Sequence, residues 1–264
     1  MARPFDELPT KLYRLGPPAD QARLEIILLP EAWFGSWYWH PLAQELAHRG
    51  YAVNLLELPG HGQEPWRLPG GVSLLDYALW AARATGGLSF PVLLGHGLGG
   101  WLTQKLLEVV DLPCLLLAPW PASGIAWPQW RFFLRHQMSH LFYLLLGRPL
   151  PPLSPDQVQK YFCHDADIVQ LRQEWPGLSH EPPGVILDYL LGLSRPKPGT
   201  GGHPRLVVSF AEDKFISSRQ SAQAAACLRA EHQVLPGPHI PWWGPGYEPL
   251  LELTDNFLRK IERE

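Results

Sequence analysis

The stretch "PVLLGHGLGG", residues 91–100, decides the fold of this chain because it joins a strand pattern to a helix pattern through a glycine-rich turn. Apolar, strand-compatible residues come first, and helical periodicity follows over 98–110. A tight turn of this kind raises its central residue above the carboxyl edge of a parallel sheet, an arrangement that exposes a nucleophile. The central position here is Gly97, so the stretch predicts a strand–turn–helix unit whose tip carries no reactive side chain.

The same letters also satisfy the dinucleotide-binding pattern G-x-G-x-x-G, through Gly95, Gly97 and Gly100. That pattern requires an acidic residue about 20 residues further on, at the end of the next strand, to hold a ribose. The next predicted strand ends in "LAP", residues 117–119, without an acid. The sequence therefore disfavours nucleotide binding.

Apolar runs alternate with helical patterns along the chain, which predicts an α/β fold with a mainly parallel central sheet flanked by helices. The predicted strands are 24–30, 52–58, 91–95, 113–119, 205–210 and 231–236, and the predicted helices of the core are 40–50, 73–85, 98–110, 217–229 and 248–262. Residues 120–198 break this alternation, because they are rich in Pro, Trp and Leu and show helical pieces at 129–146, 155–162 and 183–193. We interpret 120–198 as an inserted helical cap on a core of 1–119 and 199–264.

The composition excludes several classes of protein. A net charge of −3, with 46% hydrophobic and 18% charged residues, indicates a globular chain without broad attraction for nucleic acid. The three cysteines are widely spaced, which favours a reduced compartment and predicts a cytoplasmic location. The N-terminus shows no signal peptide, and the apolar stretch 132–146 is too short and too interrupted to span a bilayer, so no integral membrane segment is expected.

Five motifs in register resemble the α/β-hydrolase superfamily, in particular its esterase-like and lysophospholipase-like members with a helical cap. They are "LLGHGLGG" (93–100), "LELPGHG" (56–62), "LLLAPWPASG" (115–124), "FAEDKFI" (210–216) and "LPGPHIPWW" (235–243). The resemblance implies that Gly97 stands at the nucleophile position, that Asp213 is the acid and that His239 is the catalytic histidine. This order is the nucleophile–acid–histidine order of the superfamily. It implies no metal and no organic cofactor.

Each of these residues also has a plainer interpretation. Asp213 could cap the helix predicted to begin near Ser217, and His239 could be an ordinary loop histidine. Their joint order and spacing after successive strands favour an acid–histidine pair, in which the carboxylate orients the imidazole as general base and acid. His61 and His96 are expected to have structural roles.

A second departure from the superfamily lies in "LLPEAWFGSWYW", residues 28–39, where Pro30-Glu31 replaces the usual His-Gly after the first core strand. The resemblance assigns the two oxyanion-hole amides to Ala32 and Leu98. It also indicates that Glu31 faces the site, since a side chain at this place does so in relatives similar to plant hydroxynitrile lyases. A carboxylate there opposes the development of an oxyanion.

Aromatic residues are concentrated in the loops expected around the site, and some of them are expected to form an apolar pocket for a small hydrophobic substrate or ligand. The candidates for this pocket are Trp33, Phe34, Trp120, Trp127 and Trp242.

Three functional hypotheses remain open at this stage. The chain is a serine hydrolase of a small hydrophobic ester or lipid whose nucleophile was replaced by engineering, or a natural member that only binds a hydrophobic ligand. The third hypothesis is an enzyme that uses His239, Asp213 and Glu31 in acid–base chemistry without an acyl-enzyme. Replacement of a serine explains Gly97 but not Pro30-Glu31, whereas natural divergence explains both.

Overall fold

The computed structural model describes residues 11–62, 71–124, 138–164, 166, 169, 172, 178–198 and 201–263. These residues form a seven-stranded sheet covered by helices. The strands are β1 (Lys11–Leu15), β2 (Glu25–Leu29), β3 (Ala52–Glu57), β4 (Val92–His96), β5 (Cys114–Leu117), β6 (Arg205–Phe210) and β7 (Glu231–Leu235). The helices are α1 (His40–His48), α2 (Leu74–Gly86), α3 (Leu98–Leu106), α4 (Met138–Leu145), α5 (Pro155–Phe162), α6 (Pro183–Leu191), α7 (Ser218–Leu228) and α8 (Tyr247–Ile261).

The strands lie in the order β1-β3-β2-β4-β5-β6-β7. All neighbouring pairs from β3 to β7 are parallel, and only β1 runs antiparallel, against β3. The central strands are buried along their whole length because helices cover both faces of the sheet, which is the environment that their unbroken apolar runs require. The predicted α/β fold is confirmed.

The helix boundaries follow local capping chemistry. At α2 the Ser73 hydroxyl accepts from the backbone of Asp76, whose carboxylate bonds back to the Ser73 amide. At α7 Ser217 and Gln220 form the same reciprocal pair. Such capping boxes satisfy amide groups that a helix start leaves without partners.

Helix α3 is shorter than predicted, and one strand was not expected. Helix α3 ends at Leu106, four residues before the predicted end, and a turn follows it. Strand β1 escaped prediction because it is a half-exposed edge strand with no long apolar run. Between β5 and β6 the described residues form helices α4 to α6 and one isolated bridge, Leu150 to Glu181. The division into a core and a cap at 120–198 stays a prediction.

The turn from β4 to α3 has the sharp geometry that its glycines predicted. Gly97 has φ +50° and ψ −110°, in the left-handed range that side chains rarely adopt. A Cβ on Gly99 would collide with the backbone of Leu29, so the close approach of α3 to β2 depends on that glycine. The turn therefore places position 97 above the carboxyl edge of the sheet, between the loops that follow β2, β5 and β7.

Candidate functional site

The loops after β6 and β7 bring Asp213 and His239 together. Asp213 Oδ2 lies 2.7 Å from His239 Nδ1. The other carboxylate oxygen, Oδ1, accepts from the amides of Phe215 at 2.7 Å and Ile216 at 2.8 Å. The alternative interpretation of Asp213 as a helix cap is wrong, because the hydroxyl of Ser217 caps α7. Asp213 instead fixes the orientation of the imidazole.

Glu31 fills the space beside Gly97 and binds every polar group that the site was expected to offer to a substrate. Its Oε1 accepts from the amides of Ala32 at 2.6 Å and Leu98 at 2.9 Å. Its Oε2 lies 2.9 Å from Nε2 of His239. The two amides are therefore brought together as predicted, but a carboxylate of the protein itself occupies them.

Gly97 is required by this arrangement. A Cβ built at position 97 would collide with the Glu31 carboxylate, which lies in the region where a serine side chain would stand. The carboxylate is held there by three hydrogen bonds, and the side chain is 2% exposed, so it has little freedom to move aside. A side chain at position 97 and the observed position of Glu31 thus exclude each other.

His239 lies between two carboxylates, Asp213 and Glu31. Its complete burial opposes protonation, but the charge of Asp213 and the hydrogen bonds to Asp213 and Glu31 outweigh that effect and raise the pKa of His239 to about 9. At neutral pH the ring is therefore an imidazolium that donates through Nδ1 to Asp213 and through Nε2 to Glu31.

Tyr38 and His96 connect the backbones of Glu31 and His239. The Tyr38 hydroxyl accepts from the Glu31 amide at 2.9 Å and lies 3.3 Å from His96 Nδ1. His96 Nε2 lies 3.0 Å from the carbonyl oxygen of His239. Burial, followed by the nearby His239, lowers the pKa of His96 well below its usual value, so the ring is neutral, donates through Nε2 and accepts from Tyr38.

A second buried pair, His61 and Glu181, supports the loop that carries Glu31. Glu181 Oε1 accepts from the amide of Trp33 at 2.7 Å and lies 2.8 Å from His61 Nε2. The Ser179 amide donates to the carbonyl oxygen of Trp33 at 2.8 Å. Trp33 has φ +66°, a left-handed conformation that is strained for its side chain, so these contacts stabilise an unfavourable loop geometry.

The aromatic residues predicted to form a substrate pocket contact different parts of the structure. The Trp120 amide donates to the carbonyl oxygen of Gly97 at 2.9 Å, and its ring lies 4.5 Å from Tyr189 of α6. Trp33 meets His140 of α4 edge to face at 6.4 Å, while Phe34 packs on Tyr38 at 5.0 Å. Trp242 packs on Trp39 at 4.9 Å and also contacts Tyr38 and His96. Trp127 lies outside the described residues.

Glu31, His96 and His239 are also close enough to one another to hold a metal ion. Every nitrogen of the two histidines is already in a hydrogen bond within the protein. A cation bound here would have to replace the contact between Glu31 and His239.

Tyr38 and Glu181 support the site, but sequence reasoning did not find them. Tyr38 lies in the aromatic run "SWYW" (36–39), and nothing in that run separates a tyrosine that packs from one that bonds Glu31. Glu181 lies in the sequence "HEPPG" (180–184), where its Pro neighbours indicate only a loop. Both residues act through hydrogen bonds to residues distant in sequence, and a local sequence pattern cannot predict such bonds.

An open groove of about 490 Å³ lies at the opposite end of the sheet, lined by residues such as Phe90, Val109 and Leu112, which flank the amino ends of β4 and β5. It makes no contact with Glu31 or His239, so it does not locate the chemistry. Within the part of the chain that the structure describes, no helix is both long and apolar enough to cross a bilayer.

Solved structures with the same architecture include several hydrolases. A monoacylglycerol lipase from Paleococcus ferrophilus has a TM-score of 0.71 at 19% identity, covering 96% of this chain and 100% of that one. A carboxylesterase of Nitrososphaera gargenis has a TM-score of 0.70 at 14% identity, covering 100% and 98%. A thermophilic esterase from Thermogutta terrifontis has a TM-score of 0.66 at 17% identity, covering 96% and 94%. At these identities the likeness shows the fold alone.

Comparison with the curated proteins finds no significant match. The model of the alpha/beta hydrolase family, in contrast, matches residues 26–247, which span the sheet from β2 to β7 and include Glu31, Gly97, Asp213 and His239. The matched region covers most of the chain, and the order of strands and the strand–turn–helix at Gly97 agree with it. The chain therefore belongs to the alpha/beta hydrolase family.

Proposed function

We propose that this protein is an enzyme that acts on a small hydrophobic substrate by acid–base chemistry at Glu31 and His239, without an acyl-serine intermediate. The observation that supports this function is the position of the Glu31 carboxylate, which bonds Ala32, Leu98 and His239 at the same time. A serine-type reaction needs a nucleophile at position 97 and two free amides for the oxyanion. This site has a glycine there and amides that Glu31 already binds.

In the proposed site, the proton on His239 Nε2, which is hydrogen-bonded to Glu31, is the one transferred during the reaction. Nε2 of the imidazolium lies 2.9 Å from Glu31 Oε2, within the distance for proton transfer. His239 acts first as an acid and then, once neutral, as a base, while Asp213 keeps Nδ1 protonated and the ring oriented.

The surroundings of His239 support an apolar substrate. Phe162 at the end of α5 and Phe215 in the loop after β6 lie 5.3 and 5.6 Å from the His239 ring. Tyr189 and Trp120 continue this aromatic wall. The family and its esterase and lipase structural neighbours also support a substrate of the size of a small ester or lipid, under a cap formed by 120–198.

The second candidate function is the binding of a hydrophobic ligand without turnover. Complete burial of His239 and near-complete burial of Glu31, with all their polar atoms paired, favour it, since such a network is stable without a substrate.

Turnover by matched variants separates the two candidates. Wild type, Glu31→Gln, His239→Gln and the surface control Glu231→Gln are assayed on a panel of small apolar esters and epoxides by product formation. We expect the control to match wild type, because Glu231 is 65% exposed in its side chain and far from the site. Both site variants should lose about 10²–10⁴-fold in rate.

Full activity of Glu31→Gln would contradict the proposal. If no protein turns over any compound while all of them bind the same apolar ligand, the protein is a binder.

A further inference from the structure

We propose that Glu31 is a covalent nucleophile whose substrates are small apolar epoxides, which it converts to diols through an ester formed on its own carboxylate. The inference rests on the proposed function, because it uses the same Glu31–His239 pair, and it adds the reaction and the substrate class.

The two amides on Oε1 are the first reason. A carboxylate that acts only as a base gains nothing in its transition state from two such donors. Paired amides stabilise a carbonyl oxygen whose carbon becomes tetrahedral. The oxygen between Ala32 and Leu98 belongs to Glu31, so the carbon they serve is Cδ of Glu31. That carbon becomes tetrahedral only if an ester of Glu31 is hydrolysed.

The position of Oε2 is the second reason. This oxygen accepts only from His239 Nε2, among the described contacts, and it lies in the space that a serine side chain would occupy beside Gly97. Carboxylates form covalent intermediates in other enzymes. Oε2 is therefore placed to attack a carbon, with the acid that protonates the leaving oxygen 2.9 Å away.

Tyr189 is the third reason. Its side chain is buried, and its hydroxyl has no hydrogen-bond partner among the described residues. Burial, followed by the charge of Glu31, raises the pKa of Tyr189 well above its usual value, so the phenol stays a neutral donor. Its ring lies 4.5 Å from that of Trp120, whose amide donates to the carbonyl oxygen of Gly97. An unpaired buried hydroxyl costs free energy, which a ligand oxygen would recover.

These donors decide the class of the electrophile. The leaving atom has to accept a hydrogen bond and take a proton. His239 Nε2 holds a proton beside Oε2, and the Tyr189 hydroxyl has no acceptor among the described residues. The oxygen of an epoxide does both, whereas a leaving halide takes no proton. Phe162 and Phe215 beside His239, and Trp120 beside Phe215, favour apolar substituents on the epoxide.

The reaction balances in two steps. In the first, Oε2 bonds an epoxide carbon, the ring C–O bond breaks, and its oxygen takes the electron pair and the proton of His239 Nε2, with Tyr189 donating a hydrogen bond. In the second step, neutral His239 takes a proton from water, and the water oxygen attacks Cδ of the ester. The negative charge that develops on Oε1 is stabilised by the amides of Ala32 and Leu98. Collapse breaks the Cδ–Oε2 bond, the diol oxygen takes the proton of His239, and the proton on the new carboxyl group returns to His239.

An isotope experiment on the wild-type chain tests this inference. Enzyme in excess over styrene oxide reacts for one turnover in H₂¹⁸O. The masses of the diol and of the proteolytic peptide that contains Glu31 are then measured by mass spectrometry. We expect an unlabelled diol and one ¹⁸O in the carboxylate of Glu31. In addition, His239→Gln lacks the acid that protonates the leaving oxygen, so it should form neither the diol nor a labelled Glu31.

The opposite outcomes overturn the inference in distinguishable ways. An ¹⁸O-labelled diol with unlabelled Glu31 means direct attack by water, which removes the nucleophile but leaves the acid–base function. Absence of diol removes the epoxide class, and the ester panel then judges the proposed function separately.

Tyr189→Phe tests the donor. We expect ring opening to slow by about 10²-fold, with an unchanged circular dichroism spectrum. Tyr13→Phe on the exposed edge strand is the matched control and should keep the wild-type rate. An unchanged rate in Tyr189→Phe would overturn the assignment of the donor.

Discussion

Nε2 of His96 donates a hydrogen bond to the backbone carbonyl oxygen of His239, 3.0 Å away, and this contact closes a ring of four residues. Around the ring, His239 bonds the carboxylate of Glu31, the Glu31 amide donates to Tyr38, and Tyr38 donates to His96. Because each residue of the ring is hydrogen-bonded to the next, the geometry of Glu31 and His239 depends on Tyr38 and His96, which take no part in proton transfer.

The ring predicts that Tyr38→Phe destabilises the protein. The substitution leaves the buried Glu31 amide without its acceptor and His96 Nδ1 without its donor. We expect the free energy of unfolding in urea to fall by about 1–3 kcal/mol. Tyr13→Phe, at an exposed position, should change it by less than about 0.5 kcal/mol. Equal stability of Tyr38→Phe and wild type would show that the ring does not support the site.

The raised pKa of His239 predicts a loss of stability in alkali. A folded-state pKa of about 9 lies above the ordinary value of 6.5, so the stabilisation is complete below about pH 6.5 and is lost as the pH rises through 9. It amounts to a difference on the order of 3 kcal/mol. Urea unfolding of wild type and His239→Gln from about pH 6 to about pH 10 measures it.

The two curves should converge at high pH, because only wild type can lose the proton of His239. His61, whose pKa is also raised above its usual value, titrates in both proteins and cancels in the comparison. A constant difference between the curves across this range would contradict the assignment.

The collision between a side chain at position 97 and Glu31 predicts that Gly97→Ser alone does not create an esterase. In the double variant Gly97→Ser/Glu31→Gly, the new serine has room, the amides of Ala32 and Leu98 are free, and Asp213 and His239 are already paired. We expect hydrolysis of p-nitrophenyl butyrate by the double variant to exceed that of either single variant by at least about 10²-fold. Addition of His239→Ala should abolish it.

Equal activity of Gly97→Ser and the double variant would show that Glu31 leaves the site readily. It would favour the hypothesis that a serine hydrolase was disabled at a single position.

The buried Glu181–His61 pair predicts a large effect of Glu181→Gln. The glutamine still accepts from the Trp33 amide, but the buried charge partner of His61 is lost. We expect a loss of about 3–5 kcal/mol in the free energy of unfolding, and an NMR titration should show a lower pKa for His61, since the charge of Glu181 contributes to its rise. Glu231→Gln is the matched surface control. A loss no larger than that of the control would show that the pair does not stabilise the Trp33 loop.

The sequence predicted the parts of the fold that repeat a local pattern. Buried strands such as β4 and β6 are unbroken apolar runs, and α2 begins at a capping serine, so each is visible in a short window. The edge strand β1 was missed because its half-exposed "KLYRL" forms a strand only through its pairing with β3.

The site was predictable as far as strand ends determine it. Asp213 and His239 follow β6 and β7, whose carboxyl ends meet at one edge of a parallel sheet, and Glu31 follows β2 at the same edge. The bonds of Glu31 to Ala32, Leu98 and His239 depend on a side-chain rotamer and on the loop at Trp33. That loop is held by Tyr38 and Glu181, at distances in sequence that no motif spans.

Because Gly97 and Glu31 share one volume, the order in which the two residues arose is constrained. Starting from a chain with serine at position 97 and a small residue at position 31, a glutamate cannot first take the position that Glu31 has here, since the two side chains would overlap. The glycine has to precede it, at the cost of the old nucleophile. Once the glutamate is in place, a single mutation back to serine meets the same overlap. With Glu31 in its observed position, a return to serine chemistry therefore requires changes at positions 31 and 97 together.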